Sequence, residues 1–320
     1  MTGFQTRVTV QPAIGVEGDF ASANPRFSVI AGAGAFIAGL EGVKIGRFAW
    51  ASMQAVDSEG APAIVDSFGA GPVTGFVTRN MQALLTQYLQ ESSMIIPSGF
   101  GVTLMNGGDF LVKNRGANQA LIGMKAYANV RDGSVSFAPT GSPSGGGTST
   151  ASTIAAGTNS ANGNIQGNVF TATDTLTGVL YNGSLLTGTG VATGTTIVEQ
   201  LLPLLPGEAL RGLGRYAVSI PEQNVTATLI SGTYGLLTIG GTVAGIYAKG
   251  QPVSGGGTAA GTIITDVGTG LGLAGTYIVN KTQTVGSGAI NTADTVETKW
   301  IAMSPGLAGE IIKISDHPLG

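Results

Sequence analysis

The chain contains no cysteine, which excludes disulfides, thiolate metal sites, iron–sulfur clusters and cysteine nucleophiles and leaves the redox compartment open. Histidine is nearly as scarce, with His317 alone. One imidazole cannot build a His-rich zinc site or an H-E-x-x-H helix within a protomer. A Ser/His/Asp triad would need His317 as its base, yet its acidic neighbour Asp316 is adjacent in sequence, where base and orienting acid do not usually meet. His317 reads as a solvated tail residue. Charge is thin as well: Asp, Glu, Lys and Arg make up 10% of the 320 residues, against about 25% in ordinary soluble domains. This excludes an acidic solvating tail, a basic nucleic-acid arm and a long charged helix. A net charge of -3 and a pI of 5.2 offer no phosphate-neutralising surface, so nucleic acid is not an expected partner. The most apolar window, Val29 to Leu40, is too short and glycine-rich for a span of about 20 residues, and Met1 to Val10 lacks the cationic and apolar regions of a secretory signal. Neither membrane nor secretion is expected.

What the chain has in quantity is glycine, 53 residues, with a mean hydropathy of +0.29. Its length suits roughly two domains. A surface this poor in charge is expected to lean on other protein surfaces, as a subunit and a homo-oligomer.

Up to about Pro139 the pattern is of short apolar runs punctuated by turn signals, a mainly β arrangement. Val102–Met105, the turn Asn106-Gly107-Gly108-Asp109 and Phe110–Val112 predict a hairpin; Tyr127–Val130 and Val135–Phe137 around Asp132-Gly133 predict a second. Helical period occurs once, at Met81, Leu84, Leu85, Tyr88 and Leu89, with Thr78 or Asn80 as N-cap. Trp50, Trp300, Phe20, Phe27 and Phe48 are expected in the core, with carbohydrate stacking as the lesser reading. Arg26 and Arg47 stand in uncharged surroundings, which points to pairing or an interface, with Asp19 and Glu17 as nearby partners.

Residues 141–163 carry no charge and almost no bulky side chain, the composition of a flexible linker. Beyond it, 164–291 contains an internal repeat, with units at about 164–231 and 232–291. Phe170-Thr171-Ala172 aligns with Leu237-Thr238-Ile239, followed by Gly178/Gly245, Gly183/Gly250, Gly188/Gly255, Gly190/Gly257, Ala192/Ala259, Gly194/Gly261, Thr195/Thr262 and Ile197/Ile264. After a break, Gly214/Gly275, Tyr216/Tyr277 and Val218/Val279 resume the register. Each unit reads as Thr/Val/Ile strands joined by glycine turns, a small β module used twice. At the break the first unit has the longer connection, Leu201 to Leu210, whose Pro203 and Pro206 preclude a helix or central strand. Leu201, Leu202, Leu204 and Leu205 there either cap the module's own core or form a contact patch for a neighbouring subunit. From Val296 to Ile314 charges and a tryptophan return as strand, Pro305-Gly306 turn and strand. The expected architecture is a β-rich N-terminal domain with one helix, residues 1–140, completed by 292–320 and interrupted by two tandem β modules.

Catalytic patterns are weak. Gly188–Gly194 and Gly255–Gly261 match a dinucleotide fingerprint by letter, but strand-like Thr195–Val198 and Thr262–Thr265 follow where a helix is needed. Gly107-Gly108-Asp109-Phe110 resembles the start of the GGDEF signature without the acid that should follow Asp109. Glu199 and Asp266 occupy equivalent repeat positions, near Asp174, which suggests a carboxylate pair; equivalent residues are expected on separate surfaces, which argues against one cleft. No calcium loop is present. The expectation is no enzyme, no cofactor and no metal site.

Gly18-Asp19-Phe20-Ala21-Ser22-Ala23-Asn24-Pro25-Arg26, Gly46-Arg47-Phe48-Ala49-Trp50 and Gly309–Ser315 resemble the structural cement, or capsid decoration, proteins of tailed-bacteriophage heads. The resemblance covers roughly residues 1–140 and 292–320. The Gly/Thr-rich repeats resemble modules found in phage virion proteins and depart from the short cement pattern. The resemblance implies a β-rich virion protein made in the host cytoplasm and bound outside the capsid, bridging subunits of the major capsid protein without catalysis. Asp19, Phe20, Asn24, Pro25, Arg26, Arg47 and the four leucines are the expected capsid or subunit interface. The rival class is a fibre or receptor-binding adhesion protein whose repeats contact host glycans.

Overall fold

Alternation in short strands such as Phe48-Ala49-Trp50-Ala51 sends large side chains to one face and small ones to the other, and this builds the N-terminal part in layers. The computed structural model describes residues 15–31, 35–39, 41–52, 64–79, 94–201 and 204–317. A six-stranded sheet runs in the order Phe27–Ser28, Leu104–Gly107, Gly75–Val77, Phe48–Ala51, Ile64–Asp66, Ile37–Ala38. Phe48, Trp50, Phe76 and Met105 face a second, five-stranded sheet; Ala49, Ala51, Val77 and Leu104 face an opposite cluster with Phe36, Val43, Ile45 and Ile96. The five-stranded sheet runs Val135–Ala138, Lys125–Asn129, Thr295–Ala302, Ile311–Ser315, Asp109–Lys113. Its Phe110, Phe137, Trp300, Ile312 and Ile314 complete the aromatic core. Phe76 stacks on Phe110 at 4.7 Å between centroids and Phe48 meets Trp300 at 5.2 Å.

The fold is mainly β, and among the described residues there is no helix; the helix expected at Met81–Leu89 lies outside them. The hairpin at Asp132-Gly133 is present, with Tyr127 opposite Ser136 and Gly133 at φ 68°. The one expected at Asn106–Asp109 is not a hairpin. Leu104–Gly107 pairs in the six-stranded sheet, whereas Asp109–Lys113 pairs with Ile311–Ser315 in the other. Gly108, at φ 129°, turns the chain from one layer to the next, and Trp300 Nε1 donates to its carbonyl at 3.2 Å. Hydrogen bonds to Asp316 and Trp300 therefore hold this corner. Phe27 is also not core: it is 61% exposed on the edge strand.

The flexible linker is corrected as well. Gly145–Gly167 is a 23-residue strand inside an 11-stranded sheet. Gln223–Ile239 pairs along most of it, while Val285–Ala293 and Val169–Thr177 pair with opposite ends of its other edge. Its small residues are a packing requirement. A Cβ at Gly147 would occupy the Tyr247 ring and one at Gly157 the Tyr234 ring, so glycine lets each aromatic lie on the backbone. We expect Gly157→Val to cost about 1–3 kcal/mol in urea unfolding through forced displacement of Tyr234. Gly286→Ala, with open space around it, serves as the near-neutral control.

The two long strands carry two apolar clusters. One gathers Ala161, Ile165, Phe170, Ile197, Tyr216 and Ile230; the other Ile154, Leu237, Tyr247, Ile264, Tyr277 and Ile290. Repeat-equivalent residues make matching bonds. The Thr195 and Thr262 hydroxyls each donate at 2.7 Å to the carbonyls of Ala192 and Ala259, whose own N–H groups donate at 2.9 Å to Gln223 and Gln283. Gly214 and Gly275 share φ of 150° and 145°. Chain entry and exit adjoin: Asp294 N–H donates to the Ser144 carbonyl at 3.0 Å.

Candidate functional site

Residues 15–31 run along the sheets and are fastened by Asp109. Its carboxylate accepts from the Ser22 hydroxyl and from Asn24 Nδ2 at 2.6 Å. Burial pushes this acid upward, but hydrogen bonds from Ser22, Ser315 and Asn24, with the nearby His317, outweigh it and hold Asp109 below the usual carboxylate range. The Pro25 carbonyl faces His317 Nε2 at 3.3 Å. Arg26 lies over the Phe20 ring at 4.0 Å, and Phe20 packs on Phe110 at 5.9 Å. Phe27 and Ile30 follow, Ile30 being 93% exposed. Asp109→Ala should free Ser22–Asn24 and cost about 1–3 kcal/mol of stability, read by urea unfolding with raised amide exchange confined to that turn. Because the native acid is held low, this stabilisation is full at neutral pH and is lost as pH falls through the carboxylate range.

The expected partners of the arginines are corrected. Arg47 pairs with Asp132 and donates to its carbonyl at 3.1 Å, while Arg26 stacks on Phe20. Asp19 lies 3.8 Å from Arg79, and Glu17 takes both arms of Arg115 at 2.8 and 2.9 Å. Each acid is reached by an arginine distant in sequence, which folding of the sheets brings alongside.

The leucine connection is held by its polar residues. Gln200 donates to the Ala209 carbonyl and accepts from Arg211 N–H, both at 2.7 Å. Arg211 reaches the second unit, donating to Asp266 at 2.7 Å and to the Val267 carbonyl at 2.9 Å. Leu201 is half-buried, Leu204, Leu205 and Leu210 are exposed, and Leu202 lies outside the described residues. The equivalent short connection also presents leucines, Leu271 and Leu273, with Leu271 97% exposed.

Glu199 and Asp266 do not occupy separate surfaces. Both line one cavity of about 300 Å³, with Arg211 and Lys249 from the repeats and Glu41, Asp66 and Phe68 from the N-terminal sheets. Arg211, in the loop that follows Ile197–Gln200, bonds Asp266 and the Val267 carbonyl of Ile264–Val267, and all three segments contribute to the lining of the same opening. Burial, then the charges of Glu199 and Glu41, push Asp66 up to about 7 against the opposing Lys249. Burial raises Glu199 too, again opposed by Lys249. Lys249 Nζ sits 4.5 Å above the Phe68 ring. Sequence reasoning missed Asp66 and Lys249; the available signal was one acid ending the apolar run Ala63-Ile64-Val65. Among the described residues no group of three His, Cys, Asp or Glu side chains is placed to hold a metal.

A search of curated proteins finds no match. The family model described as XM1 gp53 minor capsid protein matches residues 4–200, from the N-terminal sheets through the 23-residue strand to the end of Ile197–Gln200. That span exceeds half of the chain, which therefore belongs to the XM1 gp53 minor capsid protein family and is a structural protein of the phage virion.

Proposed function

We propose that this virion protein is a cement or decoration protein, seated on the outside of the head and bridging major capsid protein subunits through its N-terminal sheets. The observation that carries this reading is the edge strand Phe27–Ser28, where Phe27 and nearby Ile30 stand exposed beside the Arg26–Phe20 stack. Large apolar side chains beside a sheet edge that has no further strand partner among the described residues are an invitation to another protein surface, which supplies both cover and backbone partners. In this reading the repeats are two β modules carried by that base, and their exposed leucines are where copies of the chain meet.

The test uses heads assembled without the protein. Full-length chain should bind at many copies per particle, with weak dependence on salt because few charges are available to screen. Ile30→Asp should reduce bound copies by about tenfold or more, since burying one isoleucine is worth roughly 1.5–3 kcal/mol, while its thermal melt stays at the wild-type value. Undiminished binding by this variant removes the edge strand from the interface. A few copies confined to the tail identify the adhesion reading instead.

A further inference from the structure

The cavity that Glu199 and Asp266 share is also the seam between the N-terminal sheets and the repeats. Backbones meet closely beside it: a Cβ at Gly250 would stand 3.0 Å from the carbonyl oxygens of both Gly69 and Val130. Gly250, at φ 92°, is thus required twice, by conformation and by contact. Next to it Lys249 lies over Phe68, tying the second repeat to the strand end that carries Asp66.

Charge is unbalanced in this seam. Glu41 and Asp66 face it from the sheets, Glu199 and Lys249 from the repeats, and Arg211 is engaged by Asp266 at 2.7 Å. One ammonium therefore stands among three carboxylates. We propose that the seam is a proton-operated latch, closed while Asp66 and Glu199 are neutral carboxyls and loosened when both ionise around the single Lys249.

With the seam open, Asp66 ionises in the ordinary carboxylate range; with it closed, ionisation waits until about pH 7. Closure therefore weakens progressively as pH rises from about 4 to about 7 and remains at its weakest above that. Burial of the carboxyl is the main cause, and Glu199 and Glu41 act in the same direction while Lys249 opposes.

Because the chain has no natural cysteine, spin labels at Leu121→Cys and Leu229→Cys, both exposed, report the sheet-to-repeat distance in the full chain. A narrow distance distribution is expected at pH 5 and a broadened or shifted one at pH 8. Adding Asp66→Asn, or Glu199→Gln should the first variant fail to fold, should keep the distribution narrow at pH 8. Asp66→Asn should also raise the melting temperature at pH 8 and leave it little changed at pH 4. Identical distributions at both pH values, or broadening undiminished in the neutralised variant, overturns the latch.

Discussion

Trp300→Ala should remove about 3–5 kcal/mol of stability, the range for deleting a fully buried large aromatic. Trp300 is 1% exposed and sits where three parts of the chain converge. Its ring meets Phe48 of the six-stranded sheet at 5.2 Å and Phe110 of the five-stranded sheet at 6.3 Å. Its Nε1 donates to the Gly108 carbonyl at the corner joining the two sheets. Alanine leaves a cavity between layers and an unsatisfied carbonyl, and neither sheet can close the gap because both faces are already packed. The same strand, Thr295–Ala302, is central in its sheet, with Lys125–Asn129 on one side and Ile311–Ser315 on the other. Removing 295–317 should therefore unfold the N-terminal sheets rather than trim them. Urea unfolding followed by Trp50 fluorescence measures both effects. A Trp300→Ala midpoint close to wild type would show that the two sheets do not depend on this contact.

Local signals were the legible ones. Asp132-Gly133 marks its hairpin because positive φ at the glycine and adjacent strands are both properties of a few consecutive residues. Asn106–Asp109 carries equally strong turn letters, yet turn chemistry does not say whether the next strand stays in the layer or crosses to another. That choice is made by Trp300 and Asp316, both about 200 residues away along the chain. The sequence 145–163 looks structureless because its bulk is supplied from elsewhere, by Tyr247 and Tyr234 lying on its glycines. Phe27 reads as core from its aromaticity, since exposure at a sheet edge leaves no mark in local composition. The charged seam was hidden for the same reason: Asp66, Glu199 and Lys249 are isolated charges in three separate stretches, and only the returning Arg211 connection and the close approach of Gly250 bring them together.

Excising 145–293 and joining Ser144 to Asp294 through two glycines should leave a folded protein. The two ends are already neighbours: Gly145 stands opposite Ala293, Asp294 N–H donates to the Ser144 carbonyl, and Ser144 N–H donates to Thr295 Oγ1 at 2.7 Å. A tight turn there replaces about 150 residues without moving either flanking strand, and a shorter loop lowers closure entropy by about 0.6 kcal/mol per halving. Both faces of the aromatic core come from residues that remain, and Asp294 keeps its pair with Arg131 at 2.9 Å. What is lost is the seam: Phe68 and Gly69 lose Lys249 and Gly250, and Asp66 returns to water. The shortened chain should consequently retain its tryptophan fluorescence and thermal transition, and it should lose the decline in stability between about pH 4 and pH 7. If Phe27 and Ile30 carry attachment, it should bind heads at wild-type copy number, and the separate 145–293 fragment should fold as β structure and fail to bind. An unfolded shortened chain would show that the repeats hold the sheets together. Decoration by the fragment alone would move the capsid contact to the leucine-bearing connections of the repeats.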